Sequence, residues 1–532
     1  MAVGAIALAK KEAIVTKLES IEELAGMDVL CADKTGTITK NELTVAEIEE
    51  FGGFSEVDVL ILAMLSSRKE DRDPIDGAIF QKAEDSKIEI STNDFQVLNY
   101  TPFDPVSKRT ESLVSDPKGS EFRVTKGAPQ VILRLANLDG VTLDEANKFV
   151  ASFALKGFRS LAVARSVSGG EMKLAGLIGL YDPPREDSRE TISSAEEMGV
   201  GVKMITGDHL AIAGEISHEV GMGSRVIRAS DLNIASKEAT IEETDVFAEV
   251  LPENKYQIVE TLQKSGHIVG MTGDGVNDAP ALKKADAGIA VSGATDAARS
   301  AADLVLTKAG LSVIIDAIKQ SRAIFERMNS YAIYRIAETL RVLLFLSLAI
   351  IIFKIYPLTA PMLVILALLN DIPIMMIAYD NTSFQKKPVN WNMRRVLEIS
   401  SVLGVMGLFS SFLILLIGLY ILHLDFQTLQ TFMFLKMAVA GHMTIYLART
   451  TEHHFWHRPL PSSRLFLAAE ITQIAATLFA ASGLLMAPLS WGLVALIWGY
   501  ALVFFVLVDY VKIGFVRLIT THSVNKYDHQ DV

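Results

Sequence analysis

Met27-Asp28-Val29-Leu30-Cys31-Ala32-Asp33-Lys34-Thr35-Gly36-Thr37 is the stretch that decides the fold class of this chain. Its apolar residues read as a buried strand, and the acidic, hydroxyl and glycine residues that follow read as a turn. Open α/β sheets place their ligand chemistry just outside the carboxyl ends of the strands. A carboxylate at that position can attack a phosphoryl group and form a covalent aspartyl-phosphate. Taken alone, the stretch also fits a strand followed by an Asx-type turn. The rest of the chain has to decide.

The chain has 532 residues, half of them hydrophobic and 21% charged. These two properties are segregated along it. Residues up to about 325 read as soluble α/β sequence. Beyond about 331, six apolar blocks recur (333–353, 360–379, 399–422, 431–448, 465–487 and 490–511), each close to the roughly 20 residues that cross a bilayer. Lys386, Lys387, Arg394 and Arg395 separate the second and third blocks. Arg449, His453, His454, His457, Arg458 and Arg464 separate the fourth and fifth, and Lys512 and Arg517 follow the sixth. The alternate loops are poor in cations, Lys354 being the main exception. The positive-inside rule then puts the basic loops, the soluble part and the C-terminus in the cytoplasm.

The net charge of −12 argues against a nucleic-acid partner. Cys31 is the single cysteine, so it has no disulfide partner in the chain and reads as a buried structural thiol in a reducing compartment. The apolar stretch 2–9 is followed, not preceded, by Lys10-Lys11. It therefore reads as the cytoplasmic end of a membrane helix and not as a signal peptide.

Residues from about 49 to 172 carry strands at 95–98, 121–124 and 160–165 and an amphipathic helix at 144–155, and read as an inserted domain. A second α/β block follows: a strand at 174–180, the Asp182-Pro183-Pro184-Arg185 turn, a helix at 187–198 and a strand at 200–205 that leads into Thr206-Gly207-Asp208. A strand at 267–271 leads into Thr272-Gly273-Asp274-Gly275, with a helix opening at Asp278. Alternating strands and helices predict a mostly parallel sheet with helices on both faces. Asp33, Thr206 and Asp274/Asp278 should then converge at one edge.

Phosphoryl transfer needs a positioned nucleophile, charge neutralisation, and a hard cation with oxygen ligands. Asp33 supplies the nucleophile. The Thr35 backbone carbonyl and Asp274 can hold Mg²⁺, together with Asp33 itself and with Asp278 in support. Thr206 and Gly207 can donate hydrogen bonds to the phosphoryl group, and Lys255 can supply a fixed positive charge.

The string 25–39 around Asp33 resembles the phosphorylation signature of the P-type ATPases. Met271-Thr272-Gly273-Asp274-Gly275-Val276-Asn277-Asp278-Ala279-Pro280-Ala281-Leu282 resembles their hinge motif, and Thr206-Gly207-Asp208 and Asp182-Pro183-Pro184-Arg185 match two more. The resemblance implies a haloacid dehalogenase-like phosphorylation domain and adds Lys34, Asp208 and Asn277 to the catalytic set. It also implies that the insert binds ATP. Phe103-Asp104-Pro105-Val106-Ser107-Lys108-Arg109-Thr110 and Lys126-Gly127-Ala128-Pro129 resemble the family's ATP-binding strings. Phe103 can stack on adenine, Lys108, Lys126 and Arg165 can face phosphate, and Arg109 and Gly127 come with the motifs. There is no Gly-x-x-x-x-Gly-Lys loop to support a P-loop route to ATP.

Ionisable residues in a spanning segment are costly and default to functional candidates. The first block carries Glu338 and Arg341, three residues apart on one helix face. The second carries Leu369-Asn370-Asp371-Ile372-Pro373, where proline is expected to interrupt the helix beside the carboxylate. Asp371 is the leading ion-binding residue, with Asn370 beside it and Arg341 as its positive partner; Glu338 is expected to pair with Arg335 or Arg341. The run from Arg327 to Asp371 resembles the plasma-membrane proton-pumping branch, which uses one membrane aspartate and a nearby arginine at the matching positions. Lys436, His442 and Glu470 read as helix-pairing or snorkelling groups.

The domain reading is 1–24 as the end of a membrane helix and stalk, 25–48 and 173–325 as the phosphorylation domain, and 49–172 as the nucleotide-binding insert. Residues 326–520 are six transmembrane helices, and 521–532 are a tail. The fold class is thus a haloacid dehalogenase-like Rossmannoid domain with an α+β insert, followed by a six-helix bundle in the plasma membrane. The family also has an actuator domain with a Thr-Gly-Glu-Ser loop and four membrane helices ahead of the phosphorylation motif, and neither occurs in this sequence. The expectation is a chain that binds ATP and phosphorylates Asp33 but does not complete a proton-export cycle alone, being either truncated or supplied in trans with the missing part by a separate polypeptide. A pump for another cation and a non-transporting remnant with a phosphatase-like or regulatory role are the alternatives.

Overall fold

The computed structural model describes residues 1–68, 70, 73–88, 95–166, 170–232 and 237–527. Residues 528–532 of the expected tail lie outside the described residues. The chain divides into a soluble unit, 8–318 with 386–388, and a membrane unit, 1–7, 319–385 and 389–532.

The described strands of the soluble unit are β1 (Ala13–Val15), β2 (Val29–Asp33), β3 (Thr44–Glu50), β4 (Gln96–Asp104), β5 (Arg109–Ser115), β6 (Glu121–Gly127), β7 (Arg159–Ser166), β8 (Met172–Tyr181), β9 (Gly201–Ile205), β10 (Val226–Arg228), β11 (Val246–Ala248), β12 (Val269–Gly273), β13 (Ala287–Ala290) and β14 (Leu304–Leu306). Eight of them form one sheet in the order β1-β14-β13-β12-β2-β9-β11-β10, parallel except for β1 against β14. Every residue of β2 and β12 is buried, as strands covered by helices on both faces must be. From β2 the chain builds outward to β9 on one side and returns to β12 on the other. The order of the sheet therefore reverses between β2 and β12, and a crevice opens at their carboxyl ends.

The other six strands form an antiparallel sheet in the order β3-β8-β7-β6-β5-β4. Strand β8 covers the expected strand 174–180, but it pairs with β3 and β7 in this sheet and not with the parallel strands. The physical reason is that β3 and β8 carry the chain into and out of the insert side by side, and ladder pairing satisfies their backbone groups. The segment 1–24 also differs from the expected stalk. Its β1 closes the edge of the parallel sheet, with Thr16 Oγ1 donating to the Ala302 and Asp303 carbonyls. Cys31 is buried in β2, and burial pushes its thiol up to about 12.

Among the described residues six helices are long and apolar enough to cross a bilayer: Leu311–Phe353, Ala360–Tyr379, Met393–Ile421, Phe426–Arg449, Ser463–Ser482 and Trp491–Ile519. The fourth is 83% buried over its apolar window while the others range from 22% to 39%, so the fourth is the centre of the bundle. Its Phe432, Met433, Phe434 and Leu435 are completely buried. Several cations expected in loops are instead neutralised inside the membrane unit. Arg449 Nε meets Asp380 Oδ2 at 2.5 Å, and Lys512, within the sixth helix, meets Asp509 at 2.8 Å.

Candidate active site

Strands β12, β2 and β9 are adjacent and parallel, so Asp33, Thr206 and Asp274 leave the sheet at one edge. Asp33 is opposite Ile205 in register, and Thr206 is the next residue along. After Asp33 the backbone turns through Lys34–Ile38, where Gly36 takes a φ of 73°. That left-handed conformation is one glycine adopts without strain. The Asp33 N–H donates to Thr272 Oγ1 at 2.9 Å, which ties the backbone of Asp33 to β12.

Lys255 enters from the helix Pro252–Lys264. Its Nζ donates to Asp33 Oδ2 at 2.6 Å and to Asp278 Oδ1 at 2.7 Å. Asp278 Oδ2 accepts from the N–H groups of Asp274 and Gly275 at 3.2 and 3.1 Å. Both Asp278 oxygens are thus engaged, which suits it to fixing Lys255 and the turn around Asp274. Ligand oxygens of Asp33, Asp274 and Asp278 lie within 4.8 Å of one another. This donor set of hard, clustered oxygens fits Mg²⁺, which takes one or two carboxylates and keeps several waters.

Burial pushes the Asp33 carboxyl up to about 6, with Lys255 opposing and Asp278 adding to the shift. The Asp274 carboxyl is also raised, first by burial and then by Asp278. Burial alone would lower the Lys255 ammonium, but the Asp33 and Asp278 carboxylates outweigh it and hold it above its ordinary value. The lysine is therefore a fixed positive charge beside Asp33.

A second layer holds the Asp33 loop. Lys34 Nζ lies 2.8 Å from Asp208 Oδ2 and 3.7 Å from Asp182 Oδ2. Thr39 Oγ1 donates to Asp182 Oδ2 at 2.6 Å, and the Glu42 N–H donates to Asp182 Oδ1 at 3.2 Å. Asp208 also accepts from Arg159 Nη2 at 2.8 Å. Asn277 is exposed on the 3₁₀ turn Val276–Asp278, and Thr206 is buried with its Oγ1 accepting from the Asp208 N–H. Sequence reasoning gave no role to Asp182, Thr272 or Arg159. The first two lie inside motifs it had singled out, but Arg159 carried no signal.

A cavity of about 1050 Å³ adjoins these loops, with Phe103, Lys108, Lys126, Gly127, Arg159 and His209 in its wall. That volume accommodates a nucleotide. A Cβ at Gly127 would stand 2.4 Å from the Lys108 carbonyl oxygen, so glycine is what lets β6 approach the 104–108 turn. Three of the expected ATP-binding cations, Lys126, Arg165 and Arg109, have partners of their own. Lys126 reaches the wall, but its ammonium is held by Asp76 at 2.6 Å, Ser67 Oγ at 2.5 Å and the Ser66 carbonyl at 2.7 Å. Arg165 lies six residues along β7 from Arg159, about 20 Å at the strand rise, and its guanidinium covers the Phe122 ring at 3.8 Å. Arg109 turns to Glu111, two residues on and so on the same strand face, at 3.3 Å.

The membrane candidates are also redistributed. Arg341 Nη2 donates to Glu338 Oε1 at 2.5 Å and to the Met437 carbonyl at 3.0 Å. Asn370 Nδ2 lies 3.5 Å from the same Glu338 oxygen. Asp371 is instead 3.7 Å from Arg335, and both of these side chains are more than half exposed. One helical step of about 100° separates Asn370 from Asp371, which turns them to different faces. Arg341 thus pairs with Glu338, one of the two partners expected for that carboxylate, and not with Asp371. Nor does Pro373 interrupt its helix, which runs through it from Ala360 to Met376. The carbonyl it leaves without a donor, Leu369 O, lies 3.1 Å from His442 Nε2.

Residues 27–286 match the haloacid dehalogenase-like hydrolases. The chain is 51% identical over 521 residues to a protein of Methanocaldococcus jannaschii named "Putative cation-transporting ATPase", covering 96% of this chain and 64% of that one. It is 41% identical over 502 residues to "Plasma membrane ATPase 1" of Saccharomyces cerevisiae, covering 91% and 54%. It is 41% identical over 510 residues to "Plasma membrane ATPase" of Kluyveromyces lactis, covering 91% and 55%. The chain thus spans between half and two thirds of the length of these curated relatives. Over nearly its whole length it is strongly homologous to the P-type cation ATPases, with a haloacid dehalogenase-like phosphorylation domain followed by six apolar helices.

Proposed function

We propose that this chain takes a phosphoryl group from ATP onto Asp33 and uses that step to drive proton export across the plasma membrane, with the soluble unit on the cytoplasmic side. The observation that carries this reading is Lys255 bridging Asp33 and Asp278 at 2.6 and 2.7 Å, with Asp274 beside them. One Asp33 oxygen attacks the γ-phosphorus, and the bond from that phosphorus to the β–γ bridging oxygen breaks, releasing ADP. Lys255 neutralises charge on the reacting groups throughout, as phosphoryl transfer requires. Thr206 and Gly207 are proposed to donate to the phosphoryl oxygens, and Lys34, clamped by Asp182 and Asp208, fixes the loop. Mg²⁺, when bound, would be held by Asp33, Asp274 and the Thr35 carbonyl with Asp278 in support, and would neutralise phosphoryl charge. ATP would enter the cavity beside Phe103 and Lys108.

A proton is favoured as the transported ion by charge. The Arg341 guanidinium already occupies the buried carboxylate of the first membrane helix at 2.5 Å. A metal cation there would meet that fixed positive charge with few free oxygen ligands, whereas a proton only neutralises the carboxylate. The test is the ion dependence of phosphoenzyme formation from ATP by the full chain in lipid. Formation and decay should vary with pH and be indifferent to Na⁺, K⁺ and Ca²⁺ at constant ionic strength. A strict requirement for one of those metal ions would replace the proton by that cation.

A further inference from the structure

The first membrane helix buries a carboxylate that the Asp371-based ion path leaves out. Glu338 is 6% exposed, and only its Oε1 is engaged, by Arg341 and Asn370. Among the described residues its Oε2 is buried without a hydrogen-bond partner, and so are Asn370 Oδ1 and Arg341 Nε. Unpaired buried polar atoms are costly and rare, and three on side chains that already touch one another mark a place prepared for a further group.

The space beside them is kept by Gly441 of the central fourth helix. A Cβ there would lie 2.9 Å from Arg341 Nη2, 3.2 Å from Glu338 Oε1 and 3.5 Å from Asn370 Oδ1. On the far side of Arg341 is a cavity of about 40 Å³ lined also by Gly407, Ser410, Lys436 and Thr444. That is on the order of the volume of one water.

We infer that Glu338 is the proton-carrying carboxylate of the membrane unit. The proton adds to Oε2, the carboxylate becomes a neutral acid, and Asn370 Oδ1, itself unpaired among the described residues, is the acceptor offered to the new O–H. Arg341 stays in place because its Nη2 also donates to the Met437 carbonyl. Release of the proton restores the Glu338–Arg341 ion pair. The other titratable groups acting on this pair are Tyr334 on the same helix, and Lys436 and His442 on the fourth. Lys436 Nζ is 2.5 Å from Ser411 Oγ and His442 is turned to Leu369 O and Thr472, so neither occupies Glu338 Oε2. Asp371, at its more exposed station with Arg335, is a separate pair.

This inference rests on the proton-export reading for the direction of transport but not for the site itself. The experiment is infrared difference spectroscopy between acid and alkaline pH on the purified full chain in lipid nanodiscs. A titrating carbonyl-stretch band of a buried carboxylic acid is expected, lost in Glu338→Gln and kept in Asp371→Asn. Gly441→Ala retains every charge and should move the band's midpoint; it decides the matter if Glu338→Gln does not fold. A band that survives Glu338→Gln, an unmoved midpoint in Gly441→Ala, or no titrating band in the unaltered chain each overturns the assignment. Phosphorylation from ATP is measured on the same samples. Its absence with the band present would sink the ATP-driven reading and leave Glu338 standing, and the converse result would do the opposite.

Discussion

Lys255 Nζ lies 2.6 Å from Asp33 Oδ2, although the two residues are 222 positions apart in the chain. Three crossovers, from β2 to β9, β9 to β10 and β10 to β11, lie between them in the chain, and the parallel sheet brings them together at the point where its order reverses. Removing one partner of a buried charge pair leaves the other uncompensated, at a cost of about 3–5 kcal/mol. Lys255→Met should therefore lower the rate of phosphorylation from ATP by about 10²–10³-fold, the usual loss for a preorganised charge-stabilising group. Rapid-quench labelling measures it, and a change of less than a few-fold would remove Lys255 from the mechanism.

Asp208 gives a prediction in pH. Burial opposes its charged form, but Lys34 and Arg159, each 2.8 Å away, outweigh burial and hold the carboxyl below its ordinary range. A folded-state pKa below the unfolded value of about 3.9 gives stability that is fully present above that value. It is lost as pH falls through the folded-state value. On acidification the unaltered chain should lose more thermal stability than Asp208→Asn, and the two should converge at the lowest pH. Parallel melting-temperature curves would show that the clamp adds no linked stability.

Asp182 is the group that stitches the Asp33 loop, through Thr39 Oγ1 at 2.6 Å and the Glu42 N–H at 3.2 Å. Asp182→Ala leaves those donors and Lys34 short of a partner, which costs about 1–3 kcal/mol. Denaturation followed by tryptophan-independent circular dichroism should register that loss, and phosphorylation should slow with nucleotide affinity unchanged. Unaltered stability and rate together would reduce Asp182 to a passive turn residue.

Gly127 offers a test of the cavity. An added Cβ would meet the Lys108 carbonyl oxygen at 2.4 Å and Arg109 Cα at 2.8 Å, both backbone atoms that cannot swing aside. Gly127→Ala should weaken binding of a fluorescent ATP analogue by about tenfold or more, equivalent to about 1.4 kcal/mol. Affinity within a factor of two would argue that nucleotide does not contact this edge.

The residues that were legible from sequence share a cause. Asp33, Thr206 and Asp274 each follow an apolar strand, and parallel pairing of β12, β2 and β9 brings strand ends together. Lys255 could be named as a candidate fixed charge, but its two partners depend on the helix Pro252–Lys264 meeting the sheet edge. What could not be read was partnership between side chains. Lys126 and Arg109 are cations in the expected strings and Arg165 is a candidate outside them, yet Asp76, Glu111 and Phe122 claim them. Strand β8 looked like a parallel-sheet strand because buried apolar runs do not declare which sheet they join. In the membrane unit the Glu338–Arg341 pair was legible from its i, i+3 spacing, but one residue of helical phase gave Asp371 to Arg335 and not to Arg341.

The measurement that tests the account most directly is the location of the phosphoryl group. The full chain in lipid is incubated with ATP and Mg²⁺, quenched in acid, and treated with borohydride, which reduces an aspartyl-phosphate to homoserine for peptide sequencing by mass spectrometry. The account predicts homoserine at position 33, absent in Asp33→Asn and absent when Mg²⁺ is chelated. Phosphate on any other residue, or an acyl-phosphate that persists in Asp33→Asn, would contradict it.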